Sequence, residues 1–187
     1  LINFLMALYN GLASAILGFN AQNYGKSDYR RIRQGTRQSL IIMRIMYAFC
    51  LTAGLLLSIG GAYQHIFMSE DKISEASVRF GNTYLYVDFI LYFILGFLIV
   101  TRSAVQGITK VGYVLGAGVA ELVSRVLICA YLPALVNGGA TDASASLASF
   151  AAVCFGDPGA WLLASLVLLV PTVKYIFRMQ YKKEVSG

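Results

Sequence analysis

Residues 110–136 read KVGYVLGAGVAELVSRVLICAYLPALV, and after Lys110 only Glu121 and Arg125 carry charge. As a helix this run covers about 40 Å, more than the roughly 30 Å of hydrocarbon in a bilayer. It has no continuous polar face of the kind a helix on a water-exposed surface shows. The stretch therefore reads as a transmembrane helix, and the rest of the chain repeats the pattern. Further apolar runs lie at about residues 3–22, 39–66, 84–106 and 155–177. The predicted fold class is an all-α integral membrane protein with a bundle of five transmembrane helices. Residues 1–179 form the membrane unit and residues 180–187 a cytoplasmic tail.

The 187-residue composition agrees, with 58% hydrophobic and 13% charged residues. Lys and Arg divide unevenly between the two sides. If the segment after the first span is cytoplasmic, the inner side collects Lys26, Arg30, Arg31, Arg33, Arg37, Arg44, Arg102, Lys110, Lys174, Arg178, Lys182 and Lys183, against Lys72 and Arg79 outside. Such a bias sets orientation, and it predicts an outer N-terminus and a cytoplasmic C-terminus in a multi-pass plasma-membrane protein. The net charge of +6 then reports topology, and no nucleic-acid partner is expected. Cys50, Cys129 and Cys154 fall in or near apolar spans and are expected as free thiols. The chain opens at Leu1 already inside an apolar run. That start reads as a fragment whose upstream part is missing.

Within the spans, the polar residues carry the functional signal. Asn3, Ala7, Asn10, Ser14 and Gly18 share an arc of about 80° on the first helix. Such a stripe either hydrogen-bonds a neighbouring helix or lines a water-filled cavity, and Asn3, Asn10 and Ser14 are the cavity-lining candidates. In residues 23–37, Ser27 or Asp28 is placed to cap the next helix, and the basic cluster serves as an anchor at anionic headgroups. Arg44 lies close enough to the inner boundary to snorkel. His65, the only histidine, has no partner at metal-binding spacing.

Tyr84, Asp88 and Tyr92 stand at i, i+4 and i+8, which aligns two phenols and a carboxylate on one helical face. A carboxylate inside a span is a functional candidate; this one could bind a proton or a small cation, or could sit near the headgroups or cap a helix that starts late. Residues 68–83 read as an external polar loop, with room for one short surface helix. Gly112, Gly116 and Ala120 form a small-residue pattern expected to pack tightly against another helix. Glu121 and Arg125 lie about 16 and 22 Å beyond Lys110, near the membrane middle. At i, i+4 they are spaced to pair with each other, as a structural pair or as a switch in which protonation of Glu121 frees Arg125. Asp157 and Pro158 read as the cap and first turn of the last span, Trp161 as an outer-interface anchor and Pro171 as a kink.

Four segments together resemble the multidrug and toxin extrusion (MATE) family, in particular its C-terminal half: Gly11 to Arg33 (GLASAILGFNAQNYGKSDYRRIR), Arg102 to Gly107 (RSAVQG), Gly118 to Arg125 (GVAELVSR) and Ala160-Trp161. The resemblance implies a twelve-helix transporter of two six-helix lobes, of which this chain supplies the last five helices of the second. It implies a secondary-active antiporter that exports organic, often cationic, drugs or toxins in exchange for Na⁺ or H⁺, without any further cofactor. Its partners are membrane lipid, a small organic substrate and the missing N-terminal lobe. The motif match carries Glu121 and Arg125 over as ion-coupling candidates, whereas Asp88, Tyr84 and Tyr92 stand on their own chemistry.

Two other functions fit the same residues. One is a lipid-linked saccharide flippase of a related branch, for which a more strongly charged central cavity is expected; the other is an inactive structural fragment. An enzyme is not expected. The chain carries no metal site, no metalloprotease or triad pattern and no phosphate-binding loop in its sequence.

Overall fold

A computed structural model describes residues 2–59, 62, 66, 74–137 and 146–178, and within them the protein is helical. The elements are α1 (Ile2–Gly25), α2 (Tyr29–Ser58), α3 (Glu75–Gly107), α4 (Val111–Val136), α5 (Leu147–Cys154) and α6 (Gly156–Pro171), followed by a π-helical turn at Thr172–Phe177. Four helical runs are long and apolar enough to cross a membrane: α2, most of α3, α4, and the run from α5 through the π turn. The 24-residue α1 also exceeds the roughly 20 residues a crossing needs.

Helix α3 is the centre of the bundle. It packs against α1, α2 and α6, while α4 sits at the side against α6 and α5. The core follows from that arrangement, with Tyr9, Ile16, Met43, Phe89, Tyr92, Leu98, Val105 and Leu168 all buried. Helix α4 buries only Ala117 and Ser124, and it exposes Leu115, Val119, Leu122 and Val126. In lipid such an outward apolar face is the solvated one.

Two of the helix connections are the same turn built twice. In the first, the Ser27 amide donates to Tyr24 and the Asp28 amide to Asn23; in the second, Thr109 donates to Gln106 and Lys110 to Val105. This is the Schellman pattern that satisfies free carbonyls at a helix end. Its left-handed position is held by Ser27 (φ 54°) and Thr109 (φ 61°). Asp28 then caps α2, accepting the Arg31 amide at 3.0 Å, so of the two predicted caps the aspartate takes the role. Both turns lie at the basic end of the bundle. There Arg33 Nε reaches the Ile176 carbonyl at 3.5 Å, tying the start of α2 to the π turn.

Several expectations are corrected. Helix α2 begins at Tyr29, directly after the expected cap, so the basic cluster forms its first turns and Arg44 stands about 22 Å along its axis. Helix α3 begins at Glu75, not 84, and takes up part of the expected external loop, including Arg79. The last helical run begins at Leu147, because Ser146 accepts the Ser149 amide and starts α5. Asp157 is therefore no cap; it lies in the first turn of α6, where Phe155 holds the cap position. Trp161 is no interface anchor but 7% exposed, set edge-on to Tyr92 at 6.3 Å between ring centres.

Among the described residues Gly112 and Gly116 meet no atom within 4 Å of a Cβ position, so this small-residue face packs on none of the described helices there. Close approach to α4 comes instead from α6, where Gly156 and Gly159 sit against Cys129 and Ile128. Pro171 ends α6 and is followed by the π turn. Proline donates no hydrogen bond, and the chain beyond it takes wider pairing, Arg178 donating to Val173 at 2.8 Å. All three cysteines are free, with Cys50 and Cys154 buried and Cys129 exposed. His65, Lys72, Lys182 and Lys183 lie outside the described residues.

Candidate functional site

The α3 register determines the site. Tyr84, Asp88 and Tyr92 share the face that α3 turns toward α1 and α6, and Asp88 is 1% exposed. The Tyr84 hydroxyl donates to the Asp88 carboxylate. The Asp88 Oδ1 has no hydrogen-bond partner among the described residues. Tyr92 is fully buried, its ring 5.4 Å from Tyr9 and 5.7 Å from Phe89. The Tyr9 hydroxyl is also buried and without a partner. The face thus has an aromatic floor with one carboxylate oxygen and one phenol left unsatisfied.

A second polar group begins beside it. Arg102 donates to Glu121 at 2.6 Å, Glu121 accepts from Arg125 at 3.3 Å, and Arg125 Nε reaches Asp157 at 2.8 Å. The four residues come from α3, α4 and α6 and form one ladder. The pair anticipated between Glu121 and Arg125 is present, yet it is the longest of the three contacts. Arg102, counted among the inner-side cations, is committed to Glu121. The ladder balances two cations against two carboxylates.

A cavity of about 250 Å³ joins the two groups. Tyr84 lines it on one side and Arg125 and Asp157 on the other, with Cys129, Phe150 and Cys154 between. Asp157 also lies within electrostatic range of Asp88. Polar atoms therefore run from Asp88 through Tyr84 and the cavity to Asp157, Arg125, Glu121 and Arg102. In that run Asp88 is the one carboxylate with no cationic partner among the described residues. An unpaired charge is costly to bury, so the cost of keeping Asp88 ionised is high at this position.

The α1 stripe faces away from this site. Ala7, Asn10 and Ser14 are exposed, and Gly18 meets no neighbour within 4 Å of a Cβ position. Ser14 satisfies its hydroxyl on the Asn10 carbonyl at 3.0 Å. The Ser14 hydroxyl is thus spent within α1; Asn3's side chain lies outside the described residues. On the opposite face, buried Asn20 donates to Thr36 and to the Ala104 carbonyl, both at 3.2 Å, stitching α1 to α2 and α3. Sequence reading passed over Asn20, Tyr9, Arg102 and Asp157 as site residues. Asn20 and Arg102 lie in the quoted GLASAILGFNAQN and RSAVQG segments, Asp157 carries a helix-start signal, and Tyr9 has no signal beyond residue type.

The MatE family model matches residues 1–131, and the chain belongs to this family of multidrug and toxin efflux transporters. It is a family of transporters, not of enzymes, and places the chain among multi-pass membrane proteins. No curated protein and no solved structure matches the chain. Three of the four resembling segments fall inside the matched residues, and Ala160-Trp161 lies beyond them.

Proposed function

We propose that the chain is part of the C-terminal lobe of a secondary-active antiporter that exports organic, often cationic, compounds in exchange for Na⁺ or H⁺. Asp88 is the ion-responsive group and Tyr84 its hydrogen-bonding partner. The observation that carries this reading is the buried Asp88, with one carboxylate oxygen unsatisfied and no ion-pair partner among the described residues. A site of this kind has two states of unequal solvation cost, one with the carboxylate neutralised and one without. Ion binding can then bias how α3 packs against α1 and α6, and a bias between two packings is what coupling requires.

The ladder supplies the second element. Arg125 is shared between Glu121 and Asp157, and a change of charge near Asp157 alters which carboxylate holds it more tightly. Tyr92 acts as the aromatic floor of the site. The exposed polar face of α1, with Asn10 and Ser14, forms part of the cavity wall toward a partner lobe. The basic end, with both Schellman turns, is cytoplasmic by the distribution of Lys and Arg.

The test is efflux by the complete transporter carrying Asp88→Asn. The proposal expects membrane insertion to persist while the dependence of efflux on a Na⁺ or H⁺ gradient disappears. Unchanged gradient dependence would remove Asp88 from the coupling step.

A further inference from the structure

At the basic end, the structure concentrates cations around one tyrosine. Lys110, at the start of α4, lies with its ammonium 4.9 Å from the centre of the Tyr175 ring, and Lys174 lies 5.1 Å from the same centre. Tyr113 stacks beside it at 6.0 Å, and the two hydroxyls share a hydrogen bond. Arg178 follows one turn later and, with Lys174, borders a groove of about 520 Å³ whose floor is Leu169, Val170 and Val173. No carboxylate among the described residues ion-pairs with Lys110, Lys174 or Arg178. The π turn after Pro171 carries Lys174 and Tyr175 and sets them beside α4.

We infer that this groove is a binding site for an anionic phospholipid, with a phosphate-bearing headgroup held by Lys110, Lys174 and Arg178 and an acyl chain laid along Leu169, Val170 and Val173. Three observations specify an amphiphile. Lys174 and Arg178 line the groove and Lys110 shares the Tyr175 ring with Lys174, none of them ion-paired among the described residues; the floor is apolar; and the position is a helix end, where headgroups meet hydrocarbon. Cations in basic pockets between membrane helices bind anionic headgroups in this way. Of the two phenol hydroxyls beside the ammonium groups, the one that accepts their shared hydrogen bond keeps its own proton to donate to a phosphate oxygen. The inference needs only that the chain spans a membrane, and stands whether or not it is an antiporter.

The experiment titrates the full chain in neutral detergent with phosphatidylglycerol or phosphatidylcholine and reads bound lipid by native mass spectrometry. Tighter binding of phosphatidylglycerol is expected. The triple variant Lys110→Gln, Lys174→Gln, Arg178→Gln should weaken it roughly 100-fold, taking the contribution of each basic residue as that of one at an anionic surface. Lys110→Arg with Lys174→Arg keeps the charge and should retain binding, which separates loss of charge from misfolding. Lys26→Gln with Arg31→Gln, at the same end but outside the groove, should change little.

Equal affinity for both lipids, or undiminished binding in the triple variant, would overturn the inference. Equal loss in the Lys26, Arg31 variant would reduce the site to general surface charge and overturn it too. Displacement of the lipid by millimolar inorganic phosphate would reassign the ligand to a free anion. Binding that appears only in Glu184→Gln would give the groove to the chain's own tail.

Discussion

Arg102 on α3 and Glu121 on α4 meet at 2.6 Å, the shortest ion pair among the described residues. Since α4 packs chiefly on α5 and α6, this pair is its main polar tie to the central helix. Both side chains are partly buried, 32% and 18% exposed. Breaking the pair should cost more than the roughly 1 kcal/mol of an exposed ion pair and less than the roughly 3 to 5 kcal/mol of a fully buried one.

Arg102→Gln and Glu121→Gln should therefore each lower thermal stability in detergent, and the double variant should be less destabilised than the sum of the two. Additive losses in that cycle would show that the pair does not couple. In the complete transporter, Glu121→Gln should also blunt ion-coupled efflux while leaving insertion intact. Wild-type efflux would confine Glu121 to a structural part.

Glycines predict opposite signs at two places. A Cβ on Gly107 would run into the Leu17 carbonyl and Asn20, backbone and side chain of α1. Gly107→Ala should separate α1 from α3 and cost about 1 to 3 kcal/mol. Gly112 and Gly116 face open space among the described residues. There, substitution by Ala in a helix should be neutral or add about 0.5 to 1 kcal/mol. Unfolding midpoints of the three single variants measure both signs.

The paired Schellman turns hold non-glycine residues at positive φ. Ser27→Gly and Thr109→Gly relieve that conformation, and each should raise stability by about 0.5 to 1 kcal/mol. A fall in midpoint for both would mean that the side chains make contacts worth more than the backbone conformation costs.

Much of this architecture was legible in the chain, for identifiable reasons. Long apolar runs marked the helices because lipid tolerates few polar groups, and the Lys and Arg bias marked one end because both Schellman turns and the π turn lie there. Asp88 with Tyr84 was legible because an i, i+4 relation is local. What periodicity could not give was the neighbour across the gap. The Gly112–Gly116 face could pack or stay open, and it stays open among the described helices because the close-approach glycines, Gly156 and Gly159, belong to α6. Glu121 and Arg125 could satisfy each other, and instead they extend to Arg102 and Asp157, residues brought near only by the fold. Trp161 illustrates the same limit. An aromatic near a helix start fits an interface belt, but the earlier start of α5 places it against Tyr92 in the core.

The central claim is that Asp88 takes up the coupling ion. The direct measurement is binding of radiolabelled Na⁺, together with proton uptake, by the purified complete transporter and its Asp88→Asn variant. The account predicts that the wild type binds one or the other and that the variant binds less by one equivalent. Equal ion uptake by the two proteins would contradict it.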